Sequence, residues 1–344
     1  MHISEFDYDL PDDLIAQQPL SDRDASRMLV LDRTSDAWSD SVFSRFPEHL
    51  RANDVVVVNN SRVIPARLSG HRAETGGAVE IFLVREVGPR IWEALVRPGG
   101  RLRAGARVVF GDGTLIGELL DEPGHELRRV RFECEDRFED VLAELGSTPL
   151  PPYIKRPSGD SRADRERYQT VYSKTPGAIA APTAGLHFTA DILAQVRARA
   201  AVAEVTLHVG YGTFEPVRVD DVDQHSVSSE QFTISSEAAE TINHARANGG
   251  QVIVVGTTTM RALESSATDA GRVEAVSGDA SLTIKPGYRF RVADALLTNF
   301  HLPRSSLLVL VSAFAGREFV LRAYRHAVDE RYRFYSYGDC MLIL

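Results

Sequence analysis

A layered α/β domain interrupted by a small β-barrel is the architecture this chain predicts. Three observations carry it. Continuous Val/Ile/Leu runs alternate with helical patterns on both sides of a central stretch, as in sheets covered by helices on two faces. From Arg67 to Thr148 the texture changes to short strand-like runs separated by glycine turns, which suit a small β-barrel or a sandwich. At 344 residues the chain is long enough for a full core and two domains. The expected boundaries are 1–66 with 149–344 for the α/β domain and 67–148 for the inserted barrel.

In chain order, SRMLVLDR and VVVV read as strands of the α/β domain before the insertion. Within it, VEIFLVR, IWEALV, RVVF and LRRVRFE are barrel strands, punctuated by Gly76-Gly77, Gly99-Gly100 and Gly111-Asp112-Gly113. A helix from Asp136 to Leu145 stops at Gly146, and the proline-rich STPLPPYIKRP then holds the chain extended as a connector. Next comes a helix from Ala190 to Ala203, with Thr189 as N-cap and Asp191 in its first turn. A second helix, Ser235 to Asn248, is stopped by Gly249-Gly250, and a third runs from Arg317 to Arg331. AVAEVTLHV, QVIVVG and SLLVLVSAF are read as the strands between and after them.

Composition excludes several classes. With 43% hydrophobic and 25% charged residues the chain is neither disordered nor fibrous. Two isolated cysteines, Cys134 and Cys340, make neither a disulfide scaffold nor a zinc cluster, so no metal is expected. The first twenty residues are acidic and broken by proline, unlike a signal peptide, and the longest apolar stretch is too short for a bilayer. A cytoplasmic location, no membrane and a monomeric state are the expectations. The net charge of −9 argues against bulk attraction to nucleic acid, yet local basic runs stand out. Arg97, Arg101, Arg103 and Arg107 form one; Lys155, Arg156, Arg165 and Arg167 belong to another. Solvated faces are the plainer reading of each run.

Four stretches carry candidate chemistry. APTAGLHFT places His187 between a turn and a helix start, and TNFHLPRSS places His301 before an apolar run read as a strand. QVIVVGTTTMRALES is a strand, a glycine, three threonines and a helix, which aims backbone N–H groups and the hydroxyls of Thr257, Thr258 and Thr259 at an anion, with Arg261 adding charge. One threonine merely capping the helix is the blander alternative. LHVGYGTFEPV ends a strand with Gly210 and Gly212, which allow either a close ligand or a tight bend. The polar Asn59-Asn60-Ser61-Arg62 after the VVVV strand fits a site edge or an ordinary turn. His208 and His225 are further proton carriers, and Asp339 sits in a turn after an aromatic run in which Tyr335 and its neighbours either stack on bases or pack the core. No GxxxxGKS loop and no GxGxxG after a strand occurs.

Taken together, FDYDLPDDLIAQQPL, NDVVVVNNSRVIPARL, WEALVRPGGRL, LPPYIKR, GAIAAPTAGLHFT, VTLHVGYGTFEPV, VVGTTTMRALES, TNFHLPRSSLLVLVSAFAG and YRFYSYGDCMLI resemble the S-adenosylmethionine:tRNA ribosyltransferase-isomerase family of queuosine biosynthesis. The resemblance implies a cytoplasmic transferase that isomerises the ribosyl part of S-adenosylmethionine onto 7-aminomethyl-7-deazaguanine at the wobble position of tRNA. Epoxyqueuosine, adenine and methionine are then the products, with S-adenosylmethionine consumed as co-substrate and no cofactor retained. It implies catalytic roles for His187, His301 and Asp339. The substrates are expected to meet Asn60, Arg62, Thr183, Gly185, His208, Gly210, Gly212, Thr257, Thr258, Thr259, Arg261 and Asn299. The anticodon arm is expected on Lys155, Arg156, Arg165 and Arg167. One departure is the run His225-Ser226-Val227-Ser228-Ser229-Glu230, which lacks a second histidine common in the family pattern. Two rivals are an RNA methyltransferase, which needs a glycine-rich loop not found here, and a non-catalytic RNA-binding module built on the insertion.

Overall fold

The computed structural model describes residues 1–156, 162–214, 217 and 219–344, with no description of the side chains of Arg101, Arg162, Thr213 and Phe214. Pro157 of the connector and Glu215 and Pro216 of the glycine-bearing turn lie outside these residues.

The chain runs β1 (Arg27–Asp32), β2 (Ala37–Val42), β3 (Val55–Asn59) and β4 (Ser61–Val63), then β5 (Arg67–Arg72), β6 (Ala78–Gly88), β7 (Ile91–Arg97), β8 (Arg107–Phe110), β9 (Leu115–Leu119), β10 (Arg128–Glu133) and α1 (Phe138–Leu145). It continues through α2 (Arg162–Arg167), β11 (Thr175–Ala178), α3 (Ala190–Arg199), β12 (Ala201–Leu207), β13 (Glu230–Ile234), α4 (Ser236–Ala247), β14 (Val252–Val255) and α5 (Thr257–Ser265). β15 (Val276–Ala280), β16 (Ala295–Asn299), α6 (Ser306–Ala315), α7 (Arg317–Asp329) and β17 (Cys340–Ile343) complete it.

The predicted class is borne out. A nine-stranded sheet in the order β15-β13-β12-β3-β14-β16-β17-β1-β2 forms the α/β body, and β5 to β10 close into a six-stranded barrel. Parallel pairing of β12, β3, β14 and β16 needs crossover helices, and those helices bury both sheet faces. The four valines of β3 show why its sequence does not alternate. Val55 and Val57 enter the core with α4 to α7, while Val56 and Val58 enter the core with α3, Phe43 and Phe46.

One assignment is corrected. SLLVLVSAF is not a strand but the helix α6, whose N-cap Ser305 accepts from the N–H of Leu308 at 3.2 Å. The strand at this position in the sheet is instead the preceding ALLTN, β16. A helix apolar on all sides loses the 3.6-residue pattern, so periodicity alone cannot separate it from a buried strand.

The parallel strands set the site. β3, β12, β14 and β16 all point their C-terminal ends to one edge of the sheet. β17 is antiparallel to β16 and β1 parallel to β17, so both begin at that edge. His208, Gly256, His301 and Asp339 therefore converge there although up to 131 positions apart in sequence.

Candidate functional site

A cavity of about 350 Å³ opens at this edge. Its floor is the turn from β14 into α5. Gly256 holds a left-handed φ of 90°, a conformation glycine adopts without steric penalty, and this rotates the N–H groups of the first helical turn outward. Thr257 and Thr258 line the cavity, and the Thr258 hydroxyl is buried with no partner among the described residues. Thr259 does not contribute. Its hydroxyl donates back to the carbonyl of Val255 at 2.6 Å, which secures the turn.

His301 forms the opposite wall. Burial lowers its pKa to about 3, so the imidazole is neutral. Nε2 lies 2.9 Å from the Thr298 hydroxyl, and Nδ1 has no partner among the described residues. When Nε2–H donates to Thr298, Nδ1 presents a free lone pair. The backbone around it is fixed by the hydroxyls of Tyr8 and Tyr324, which bond the His301 carbonyl and the His301 N–H.

His187 stands one residue behind the wall. It does not line this cavity; its Nε2 lies 3.2 Å from Asn299 Oδ1, and Asn299 does line it. An amide oxygen only accepts, so Nε2 carries the proton, and Nδ1 faces the Ser26 hydroxyl 2.8 Å away, which also reaches the Arg23 carbonyl at 3.1 Å. Burial, aided by the charges of Arg23 and Arg333, lowers the His187 pKa to about 4 against the effect of the Asn299 bond. The asparagine also donates to the Tyr335 carbonyl at 2.8 Å. His187 thus acts on the cavity through Asn299.

Asp339 lines neither this cavity nor the larger one between barrel and sheet. Each of its oxygens holds a backbone amide: Oδ1 accepts from the N–H of Arg27 at 2.9 Å and Oδ2 from that of Arg333 at 2.8 Å. Burial raises its pKa, partly offset by these two bonds. The carboxylate clasps the loop 333–339 to β1. A Cβ on Gly338 would meet the Arg333 carbonyl oxygen at 2.5 Å, so only glycine closes this loop. The loop displays Tyr335 and Ser336 into the cavity, with Tyr335 at a φ of 75° that a bulky residue rarely adopts. The Tyr335 and Tyr153 rings meet with centroids 4.0 Å apart.

Other expected residues separate into three groups. Thr183 lines the first cavity. Arg62, His208, Gly210 and Gly212 line a second cavity of about 920 Å³ between barrel and sheet, whose wall at Val209 is shared with the first. The rest line neither cavity. Asn60 bonds Glu204 and Thr206. A Cβ on Gly185 would strike the Tyr172 hydroxyl at 2.1 Å. Arg261 is bound to Glu230 and to the carbonyls of Ser228, Ala280 and Leu282, so it offers no charge to an anion. Glu230 in turn accepts from the N–H of Gly210 at 2.9 Å and positions the wall between the cavities.

The cations expected on RNA are mostly committed elsewhere. Arg156 grips Asp164, Arg165 bonds the carbonyls of Ala143 and Gly146, and Arg167 those of Leu20 and Ser21. The Nζ of Lys155 has no partner among the described residues. Arg156→Met is therefore expected to lower stability by roughly 3 kcal/mol, because the Asp164 carboxylate is left buried beside an apolar chain. Lys155→Ala is expected to spare stability. Denaturant titration checks both; a normal midpoint for Arg156→Met refutes the structural assignment.

Sequence reasoning missed Tyr153 and Arg304 in the first cavity and Trp92 and Phe138 in the second. A tyrosine inside a proline-rich connector was the available signal for Tyr153. Tyr324, Tyr332, Phe334 and Tyr337 belong to the core, as the plainer reading of the aromatic C-terminus held.

Among the described residues no helix is long and apolar enough to cross a membrane. The family model described as "Queuosine biosynthesis protein" matches residues 3–343. Curated relatives called S-adenosylmethionine:tRNA ribosyltransferase-isomerase are similar over the full length of both chains: 50% identical in Symbiobacterium thermophilum and 49% in Desulfitobacterium hafniense. A crystal structure of S-adenosylmethionine tRNA ribosyltransferase from Thermotoga maritima is 36% identical with a TM-score of 0.57, covering 99% of this chain and 100% of that one.

Proposed function

The chain belongs to the queuosine biosynthesis family and is an enzyme of the S-adenosylmethionine:tRNA ribosyltransferase-isomerase class; we propose that it transfers and isomerises the ribosyl part of S-adenosylmethionine onto 7-aminomethyl-7-deazaguanine at the wobble position of tRNA. Epoxyqueuosine forms in the RNA, and adenine and methionine leave. On this reading the enzyme works in the cytoplasm as a monomer, needs no metal and retains no cofactor.

The observation that carries the reading is the unpartnered Thr258 hydroxyl at the start of α5, in one cavity with the neutral His301. The methionine carboxylate of the sulfonium substrate rests on the first N–H groups of α5 and on Thr258, where the helix dipole favours negative charge. A sulfonium acidifies the ribose carbon beside it. His301 Nδ1 takes that proton and starts the loss of adenine, which needs a base neutral at physiological pH. Asn299, oriented by His187, and Tyr335 shape the wall against which the ribosyl group turns.

S-adenosylmethionine labelled in the ribose, incubated with the enzyme and tRNA bearing the amine, tests this. Ribosyl label on RNA with free adenine is the expected result; methyl label on RNA, or no label, overturns it.

A further inference from the structure

A third, much smaller cavity of about 20 Å³ shares Ser336 with the first and is lined also by His187. We infer that it binds a single chloride ion, held by the guanidinium groups of Arg23 and Arg167 and by the hydroxyl of Tyr337.

Size and hydrogen bonding select the ligand. A space of this volume takes one particle of about the size of water, which excludes a carboxylate, a sulfate or a phosphate. Two polar atoms on its lining are buried with no partner among the described residues, Arg167 Nε and the Tyr337 hydroxyl, although Tyr337 is only 5% exposed. Both are donors, and buried donors without an acceptor are rare because they have given up water for nothing. The other lining hydroxyls are engaged: that of Ser26 with His187 Nδ1 and the Arg23 carbonyl, that of Ser336 with Tyr153. A water accepting from Arg167 and Tyr337 must turn its own hydrogens toward the carbonyls of Leu20 and Leu186, which already accept from Arg167 and Arg23. A halide accepts from both donors and has nothing to donate.

Charge points the same way. Arg23 bonds the carbonyls of Leu186 and Glu166, Arg167 those of Ser21 and Leu20, and neither meets a carboxylate among the described residues. Burial, and after it the charge of Arg167, lowers the Arg23 pKa, so these two cations stand close enough to repel each other. The neighbouring cations are already balanced, Arg156 by Asp164 and Arg333 by Asp339. An anion shared by Arg23 and Arg167 turns their repulsion into attraction, and a part-buried site makes each bond to it charge-assisted. Its ligands come from the segment before β1, from the end of α2 and from the loop 333–339, so chloride pins to the body the loop that displays Tyr335 and Ser336 in the first cavity.

Chloride line broadening by nuclear magnetic resonance, with the full-length protein, is expected to show excess width that sodium bromide removes by competition. The thermal midpoint should rise saturably with sodium chloride or bromide over sodium gluconate at equal ionic strength. Tyr337→Phe removes a hydroxyl with no protein partner and should raise the chloride dissociation constant about tenfold. Crystals of the parent protein grown in sodium bromide, which need no variant, should show an anomalous peak within hydrogen-bond distance of the Tyr337 hydroxyl. Equal midpoints in halide and gluconate, an unchanged dissociation constant in Tyr337→Phe, or bromide absent from this cavity each overturns the inference. Neither substrate is needed for these measurements, so they stand or fall separately from the ribosyl-transfer assay.

Discussion

Replacing His301 by glutamine is expected to lower turnover about 10²-fold to 10⁴-fold, the range that a positioned general base contributes. Affinity for S-adenosylmethionine should stay near that of the parent, since the anion site proposed at Thr258 belongs to a different element, α5. Single-turnover release of adenine, beside equilibrium binding of the sulfonium compound, separates the two. Parental turnover in the variant would remove imidazole from the chemistry. The same substitution has a stability signature. An unfolded histidine gains its proton near pH 6.5, whereas the folded ring of His301 stays neutral down to about pH 3. Between these limits the unfolded state binds more protons, so stability falls on acidification by on the order of 1.4 kcal/mol per pH unit for this group. His187 adds a like amount down to about pH 4. Above pH 6.5 neither contributes any slope. His301→Gln should flatten the decline between pH 6 and 4.5 by about one histidine's share, and an unchanged slope in denaturant titrations would contradict the burial assigned to this ring.

Glu264→Ala should be the most destabilising single change away from the cavities, at about 3–5 kcal/mol. This carboxylate on α5 is buried and accepts four hydrogen bonds: from the N–H groups of Arg291, Val292 and Ala293 at 2.9, 3.0 and 3.1 Å, and from the Tyr288 hydroxyl at 3.0 Å. It ties the segment entering β16 to the helix whose N-terminus lines the first cavity. Alanine strands these donors in an apolar setting, and each orphaned N–H costs about 1–3 kcal/mol. Glu264→Gln retains an acceptor oxygen and should lose about half as much. Chemical denaturation of both variants decides the point; equal midpoints for parent and alanine variant would mean that water replaces the carboxylate.

Legibility followed the range of the interactions concerned. Thr189 as N-cap of α3 and Gly146 as the stop of α1 were readable because a cap acts within three or four residues. The strands of the barrel were readable because four of its six pairings, β5 with β6, β6 with β7, β8 with β9 and β9 with β10, join neighbours in sequence, whereas β5 with β8 and β7 with β10 do not. α6 was misread because its apolar character is uniform. In the site, the glycine turn into α5 was visible as a local motif. The spending of Arg261 on Glu230, and of Asp339 on the backbone of Arg27 and Arg333, was not. Those partners lie 31, 312 and 6 positions away, and a charged residue looks the same in sequence whether it faces a ligand or a buried amide.

What the chain determined by itself was the alternation of helix and strand, the glycine-threonine start of α5 and the neutral-range chemistry of two histidines, since local sterics and intrinsic ionisation set all three. Only the tertiary structure decided which histidine lines the cavity and which stands behind Asn299, and that the expected binding residues divide between two chambers separated at Val209. Both facts depend on parallel strands bringing distant segments to one sheet edge, where burial assigns each polar group either to a protein partner or to a ligand.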